Sequence, residues 1–114
     1  MYEYLTGILQ EKTSHYLIIE VQGVGYRCKI PSSTYSQLPV AGEKTLVYTT
    51  FIVREDAQIL YGFSTKQERS LFEIVKSISG IGPKTALALV GHLDLPIFQA
   101  AIVAGKEAVI AKVP

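Results

Sequence analysis

The hydrophobic period of the chain changes once, after Phe63, and that change restricts the fold to a β-rich first part followed by helices. Before Phe63 the side chains alternate with period two. Leu17, Ile19 and Val21 share one face, and Tyr26, Cys28 and Ile30 continue the pattern with Arg27 and Lys29 opposite. Gly23-Val24-Gly25 between the two runs reads as a tight hairpin, which makes them antiparallel strands. Further strands are expected around residues 2–10, 44–53 and 57–63, with 32–38 as a short irregular or helical connection. About five short strands in roughly sixty residues suit a small closed barrel, either an OB-fold or an SH3-like one.

Past Phe63 the spacing becomes helical. Thr65-Lys66-Gln67-Glu68 matches a capping box, and Leu71, Phe72, Val75 and Ile78 follow on one face, which predicts a helix over 65–78. Next comes Ser79-Gly80-Ile81-Gly82-Pro83-Lys84-Thr85-Ala86, two glycines flanking one aliphatic residue. Glycine permits a tight reversal with positive φ, and proline suits the first turn of a following helix, expected over 83–90. This is the pattern of a helix-hairpin-helix, whose outward N–H groups beside a lysine can hold a phosphate without reading a base. A nucleotide P-loop does not fit, because Pro83 separates Gly82 from Lys84 and the upstream glycine is missing. A dinucleotide fingerprint fails too, since position 85 is Thr and the preceding segment reads as helix. A plain helix–helix turn remains the competing reading.

Asp94-Leu95-Pro96 restarts a helix with Phe98, Ala101 and Ile102 on its buried face; Gly105 ends it, and a last helix begins at 106–112. Ile110-x-x-Val113-Pro114 repeats the spacing of Val75-x-x-Ile78-Ser79 about one repeat downstream, as a second helix-hairpin-helix lacking its hairpin would. The alternative is a short final helix with a fortuitous match. The expectation is an incomplete C-terminus.

At 114 residues the chain has room for one domain or two small ones. The absence of a long apolar run and of a signal-peptide layout at Met-Tyr-Glu-Tyr makes a cytoplasmic, non-membrane location the expectation. Cys28, the one cysteine, reads as a small core residue. His15 and His92 have no ligand partner at useful spacing and read as ordinary surface or satisfied side chains. The net charge of +1 does not announce a nucleic-acid binder, although bases outnumber acids by two from Ser64 onward while acids lead by one before it. A phosphate-binding field must come from placement on one face. No Walker motif, metal-ligand cluster or nucleophile with a base is present, so neither catalysis nor a cofactor or metal is expected.

Three segments together carry a resemblance: V-R-E-D-A-Q-I-L-Y-G-F at 53–63, S-T-K-Q-E-R at 64–69 and S-G-I-G-P-K-T-A at 79–86. With Tyr4-Leu5-x-Gly7 and Gly23-Val24-Gly25-Tyr26, they make the whole chain resemble the RuvA family, the Holliday-junction-binding subunits of the bacterial branch-migration helicase. The resemblance implies an α+β multidomain fold, with an OB-fold domain over 1–63 and a helix-hairpin-helix domain over 64–114. It implies a homotetramer, or two tetramers stacked as an octamer, on an open, square-planar four-way junction DNA. It also implies the hexameric RuvB ATPase and the RuvC resolvase as partners in recombination and repair. RuvB coupling is not expected for a chain ending at Pro114, because the ATPase-binding domain would be missing. Junction binding is expected to be weaker and less salt-dependent than with both hairpins present.

Within that resemblance Glu55 and Asp56 match the acidic pin, whose carboxylates repel phosphates at the junction centre and keep strands apart. From the residues alone, an acidic pair in a turn is also what a solvated loop looks like. Gly80 and Gly82 match the backbone clamp on DNA phosphate, with Lys84 supplying charge and Ser79 and Thr85 hydroxyls. Arg54 is either a neighbouring phosphate contact or a structural ion pair with Glu55 or another subunit, and Lys112 is placed near the second clamp. Two rival readings remain open. One is a single-strand-binding OB module relying on exposed Tyr2, Tyr4 or Tyr16, residues otherwise expected to fill the barrel or its interfaces. The other treats the glycine hairpin as an oligomerisation element that binds no DNA.

Overall fold

The computed structural model of the chain describes residues 2–78 and 80–92, and in it the period-two stretch closes on itself. Five strands, β1 (Tyr4–Lys12), β2 (Tyr16–Val21), β3 (Val24–Lys29), β4 (Lys44–Val53) and β5 (Gln58–Phe63), form a closed barrel in the order β1-β2-β3-β5-β4. The pairing is antiparallel except for the short parallel contact of β3 with β5, where Cys28 faces Leu60 and Lys29 faces Tyr61. β1 serves two neighbours. Its first half pairs with β4 from Tyr4 to Ile8, and its second half pairs with β2, with a register shift between Leu9 and Glu11. Such a bulge bends a strand, and here it lets β1 turn from one neighbour to the other. The result is an OB-like barrel.

The β2–β3 reversal differs by one residue from expectation. Val21 pairs with Val24, so the two-residue loop is Gln22-Gly23, and Val24 and Gly25 already belong to β3. Both loop residues have positive φ, 49° and 87°, as the primed hairpin turns that match strand twist require. Gln22 occupies a conformation that a sequence reader would have assigned to glycine.

Leu5, Leu9, Leu17, Ile19, Cys28, Ile30, Leu38 and Val47 fill the barrel. Burial pushes the Cys28 thiol up to about 12, which marks it as a core residue rather than a nucleophile. Tyr2 and Tyr4 do not fill the barrel: they stand exposed outside it, Tyr2 edge-on to Phe51. Tyr16 is half-buried on the outer face.

A short helix, α1 (Ser32–Gln37), occupies the connection between β3 and β4. Two helices follow the barrel, α2 (Lys66–Ser77) and α3 (Pro83–His92), the second running two residues beyond the expected 83–90. They pack on the back of β5, whose side chains alternate between two cores. A Cβ at Gly62 would press on Val47, Cys28 and Ile30 in the barrel, and Leu60 packs there too. Tyr61 and Phe63 point the other way and join Leu71, Phe72, Val75, Ala86, Leu89 and Val90, with Ile59 packed alongside. The Phe72 ring lies between Tyr61 and Phe63, centroids 4.9 and 5.1 Å away.

The expectations for Asp94, Phe98, Ala101, Ile102, Gly105, Lys112 and the partial repeat at 110–114 fall outside the described residues, as does Ser79. Among the described residues, no helix is long and apolar enough to cross a membrane, and no three His, Cys, Asp or Glu side chains gather as metal ligands would.

Candidate nucleic-acid interface

The glycine turn is held from both sides. On its N-terminal side Thr65 caps α2, its hydroxyl accepting from the Glu68 amide at 3.1 Å, as the capping-box pattern predicts. The Glu68 carboxylate does not reach back to the Thr65 amide as a full capping box would; it serves a different set of donors. It is buried, and it accepts from the hydroxyls of Ser33 and Thr34 on α1 and of Ser64 and Thr65 before α2. On the far side α3 meets α1 where Ser32 Oγ donates to the Gly91 carbonyl at 3.0 Å. A Cβ at Gly91 would lie 2.8 Å from that hydroxyl oxygen, so the glycine sets the approach. α1 therefore fastens both helices to the barrel.

Between these anchors the chain reverses in a few residues. α2 ends at Ile78, whose amide donates to Val75 O at 3.1 Å, and the Ile81 amide donates back to Ile78 O at 3.1 Å. Gly80 has φ +85°, a left-handed conformation that favours glycine. The Gly82 carbonyl accepts from the Ala86 amide at 2.9 Å and opens α3. Gly82 has no positive φ, and a Cβ built on it would meet nothing within 4 Å. Nothing inside the described chain requires a glycine there. Lys84 and Thr85 are exposed on the first turn of α3, which carries no acidic residue, so the positive end of that helix faces solvent with a lysine beside it.

The second candidate element is the β4–β5 turn. The Arg54 amide donates to Ala57 O at 2.7 Å, which closes a four-residue loop and leaves Glu55 and Asp56 exposed at its tip. The one ion pair within 4 Å among the described residues joins Arg69 to Glu3, so Arg54 is not paired with Glu55 within the chain. Its charge is felt by Tyr61: burial pushes that phenol up, and Arg54 pulls it part of the way back. Gly80, Gly82, Lys84 and Thr85 are thus gathered at one turn, while Arg54, Glu55 and Asp56 form a separate loop.

A third group of charges was not assembled by sequence reasoning. Lys84 shares a groove of about 370 Å³ with His15, Arg27 and Lys29 from the barrel. The alternation that put Arg27 and Lys29 on the outer face was the available signal; the docking of α3 beside them, set by α1, was not readable.

The fold and these loops define the chain first as an OB-like barrel with an attached helix pair, a class whose β2–β3 face and β1–β2 and β4–β5 loops commonly bind oligonucleotides or oligosaccharides. The family model described as RuvA N terminal domain matches residues 1–62. Three relatives bear the name Holliday junction branch migration complex subunit RuvA. That of Methylobacillus flagellatus is 44% identical over 110 residues, which is 96% of this chain and 57% of the relative. That of Protochlamydia amoebophila is 42% identical over all 114 residues and 57% of its own length. The Escherichia coli protein is 43% identical over 96% of this chain and 54% of its own. The chain belongs to the RuvA family and spans about half the length of these relatives.

Proposed function

We propose that the chain binds four-way DNA junctions as part of a branch-migration complex in recombination and repair. Gly80 and Gly82 bring backbone N–H groups against a phosphate, Lys84 adds charge, and Ser79 and Thr85 add hydroxyls. Arg54 contacts a neighbouring phosphate. In this reading residues 64–114 form a helix-hairpin-helix domain after the OB-fold domain of 1–63. Four copies hold the junction open and square-planar, with Glu55 and Asp56 at the centre repelling phosphates so that strands stay apart while bases exchange partners. Recognition follows DNA shape, because none of these groups reads base edges. The protein is a non-catalytic, cytoplasmic subunit. In its full-length form it targets a hexameric ATPase, which supplies the hydrolysis, and it works beside a junction resolvase.

The observation that supports this most is Gly82. A glycine with ordinary backbone angles, no described residue within 4 Å of where its Cβ would lie and a helix N-terminus beside it leaves room for something outside the chain to approach the backbone. Names borne by the relatives supply the junction as that partner.

The test is a low-salt mobility-shift titration of a synthetic four-way junction against linear duplex and single strand of equal length. Junction preference is expected. Exposed Tyr2 and Tyr4 favour a second reading, in which bases stack on these rings, and a preference for single strand would establish it instead.

A further inference from the structure

Strand pairing places a row of side chains across the outer face of the barrel towards α3. Tyr16 pairs with Lys29, and Lys29 pairs with Tyr61. Arg27 lies two residues before Lys29 and therefore on the same face. The groove between this row and α3 has a volume of about 370 Å³, with His15, Arg27, Lys29 and Lys84 around it and Ile30 and Leu87 as its apolar part. An adjoining groove of about 380 Å³ shares His15 and Lys84 and runs along α3 to His92. No acidic residue is among the described residues lining either groove. Arg27, Lys29 and Lys84 take part in no ion pair within 4 Å among the described residues.

Arg27 is held ready rather than left to wander. Its guanidinium lies over the Tyr16 ring, 4.6 Å from the centroid. The Tyr16 hydroxyl in turn donates to Glu11 at 2.5 Å, so the nearby carboxylate is engaged by the phenol. Stacking leaves the edge of a guanidinium, with its fork of N–H donors, available to a phosphate. Unpaired cations converging on one concavity repel one another, and a polyanion relieves that repulsion. The β2–β3 face is also where OB-like barrels commonly take an oligonucleotide.

We infer that Arg27 and Lys29 form a phosphate subsite on the barrel, continuous with the glycine turn through Lys84, that takes the backbone of the same DNA. This rests on the nucleic-acid reading above and extends it from the α2–α3 turn to the outer face of β2 and β3. The DNA backbone then follows the groove from the N-terminus of α3 across β3 towards His15 in the β1–β2 loop.

The experiment compares the full chain with its R27Q/K29Q double variant, both positions being exposed, on the four-way junction and on linear duplex over a range of salt. Every phosphate that is no longer neutralised should reduce the slope of log K against log salt by about 0.9. The expected result is junction preference in the parent and a slope smaller by about 0.9 to 1.8 in the variant. Junction preference with an unchanged slope would overturn the subsite and leave the junction reading standing. Equal binding of junction and duplex by the parent, with both slopes reduced in the variant, would uphold the subsite and overturn the junction reading. Failure of the parent to bind either DNA would overturn both. An unchanged slope together with altered sedimentation of the free protein would assign the groove to a second copy of the chain.

Discussion

The barrel interior and the layer between β5 and the two helices are both built from buried apolar side chains, but they are sealed by different means. Eight buried residues fill the first, all aliphatic apart from Cys28 and drawn from β1, β2, β3 and β4 and from the segments flanking α1. Ladders of backbone hydrogen bonds hold the walls around them, so the loss of one side chain leaves the enclosure standing. The second core depends on rings. Phe72 fills the space between Tyr61 and Phe63, and Leu71, Val75, Ala86, Leu89 and Val90 close around them. A core closed by a ladder tolerates small losses, whereas one closed by a single ring is decided by it. The position of the glycine turn depends on the second kind.

The largest effect is expected from Phe72→Ala, which should cost about 3–5 kcal/mol in urea unfolding. Cys28 provides a reporter of the other core. A thiol held near 12 is thiolate at pH 8 in only about one part in ten thousand, so alkylation of the folded barrel should be very slow. If Phe72→Ala loosens the helices while Cys28 stays unreactive, the cores are separable. Labelling that accelerates in step with the lost stability would make them one cooperative unit.

Glu68→Ala should cost about 1–3 kcal/mol, because the hydroxyls of Ser33, Thr34 and Ser64 lose a shared buried acceptor. Glu68→Gln should recover part of this in the same melt, since its amide oxygen still accepts. Equal losses in both variants would mean that charge, not hydrogen bonding, joins α1 to α2.

The next effect is absent at neutral pH and develops only under alkaline conditions. Burial raises the folded Cys28 thiol from its ordinary 9.0 to about 12, so between those values the unfolded chain loses a proton that the folded one keeps. That contribution is fully present below about pH 9 and is lost as pH rises towards 12, at up to about 1.4 kcal/mol per pH unit. Cys28→Ala should remove this slope from the pH dependence of unfolding.

The smallest stability change is expected from Gly82→Ala, within about 0.5 kcal/mol of the parent, because the added methyl meets no atom of the described residues within 4 Å. Its effect should fall on junction affinity instead. A variant that binds the junction as well as the parent would remove the reason for placing a phosphate against Gly82.

Most of the architecture could be read from local pattern. Alternation located the strands, and the capping box placed the start of α2 because Thr65 and Glu68 are neighbours along the chain. The features that escaped join distant residues. Glu68 was readable as a cap member but not as the acceptor for Ser33 and Thr34, which reach it only after the barrel has folded. Arg27 and Lys29 were readable as outward-facing, yet their proximity to Lys84 depends on α3 lying against α1. Gln22 shows another limit. The tight loop was evident, but the pairing of Val21 with Val24, not glycine content, determined which residue took the left-handed conformation.

β5 is a party wall. Leu60 and Gly62 belong to one tenant, and Ile59, Tyr61 and Phe63 to the other. A protein engineer who severs the chain after Phe63 to obtain the barrel alone would therefore not liberate a finished surface. The cut would uncover a contiguous apolar stripe, two aromatic residues and an isoleucine, along a strand whose inner face cannot be altered to compensate. Such a fragment would pass every test of topology and still come out of solution.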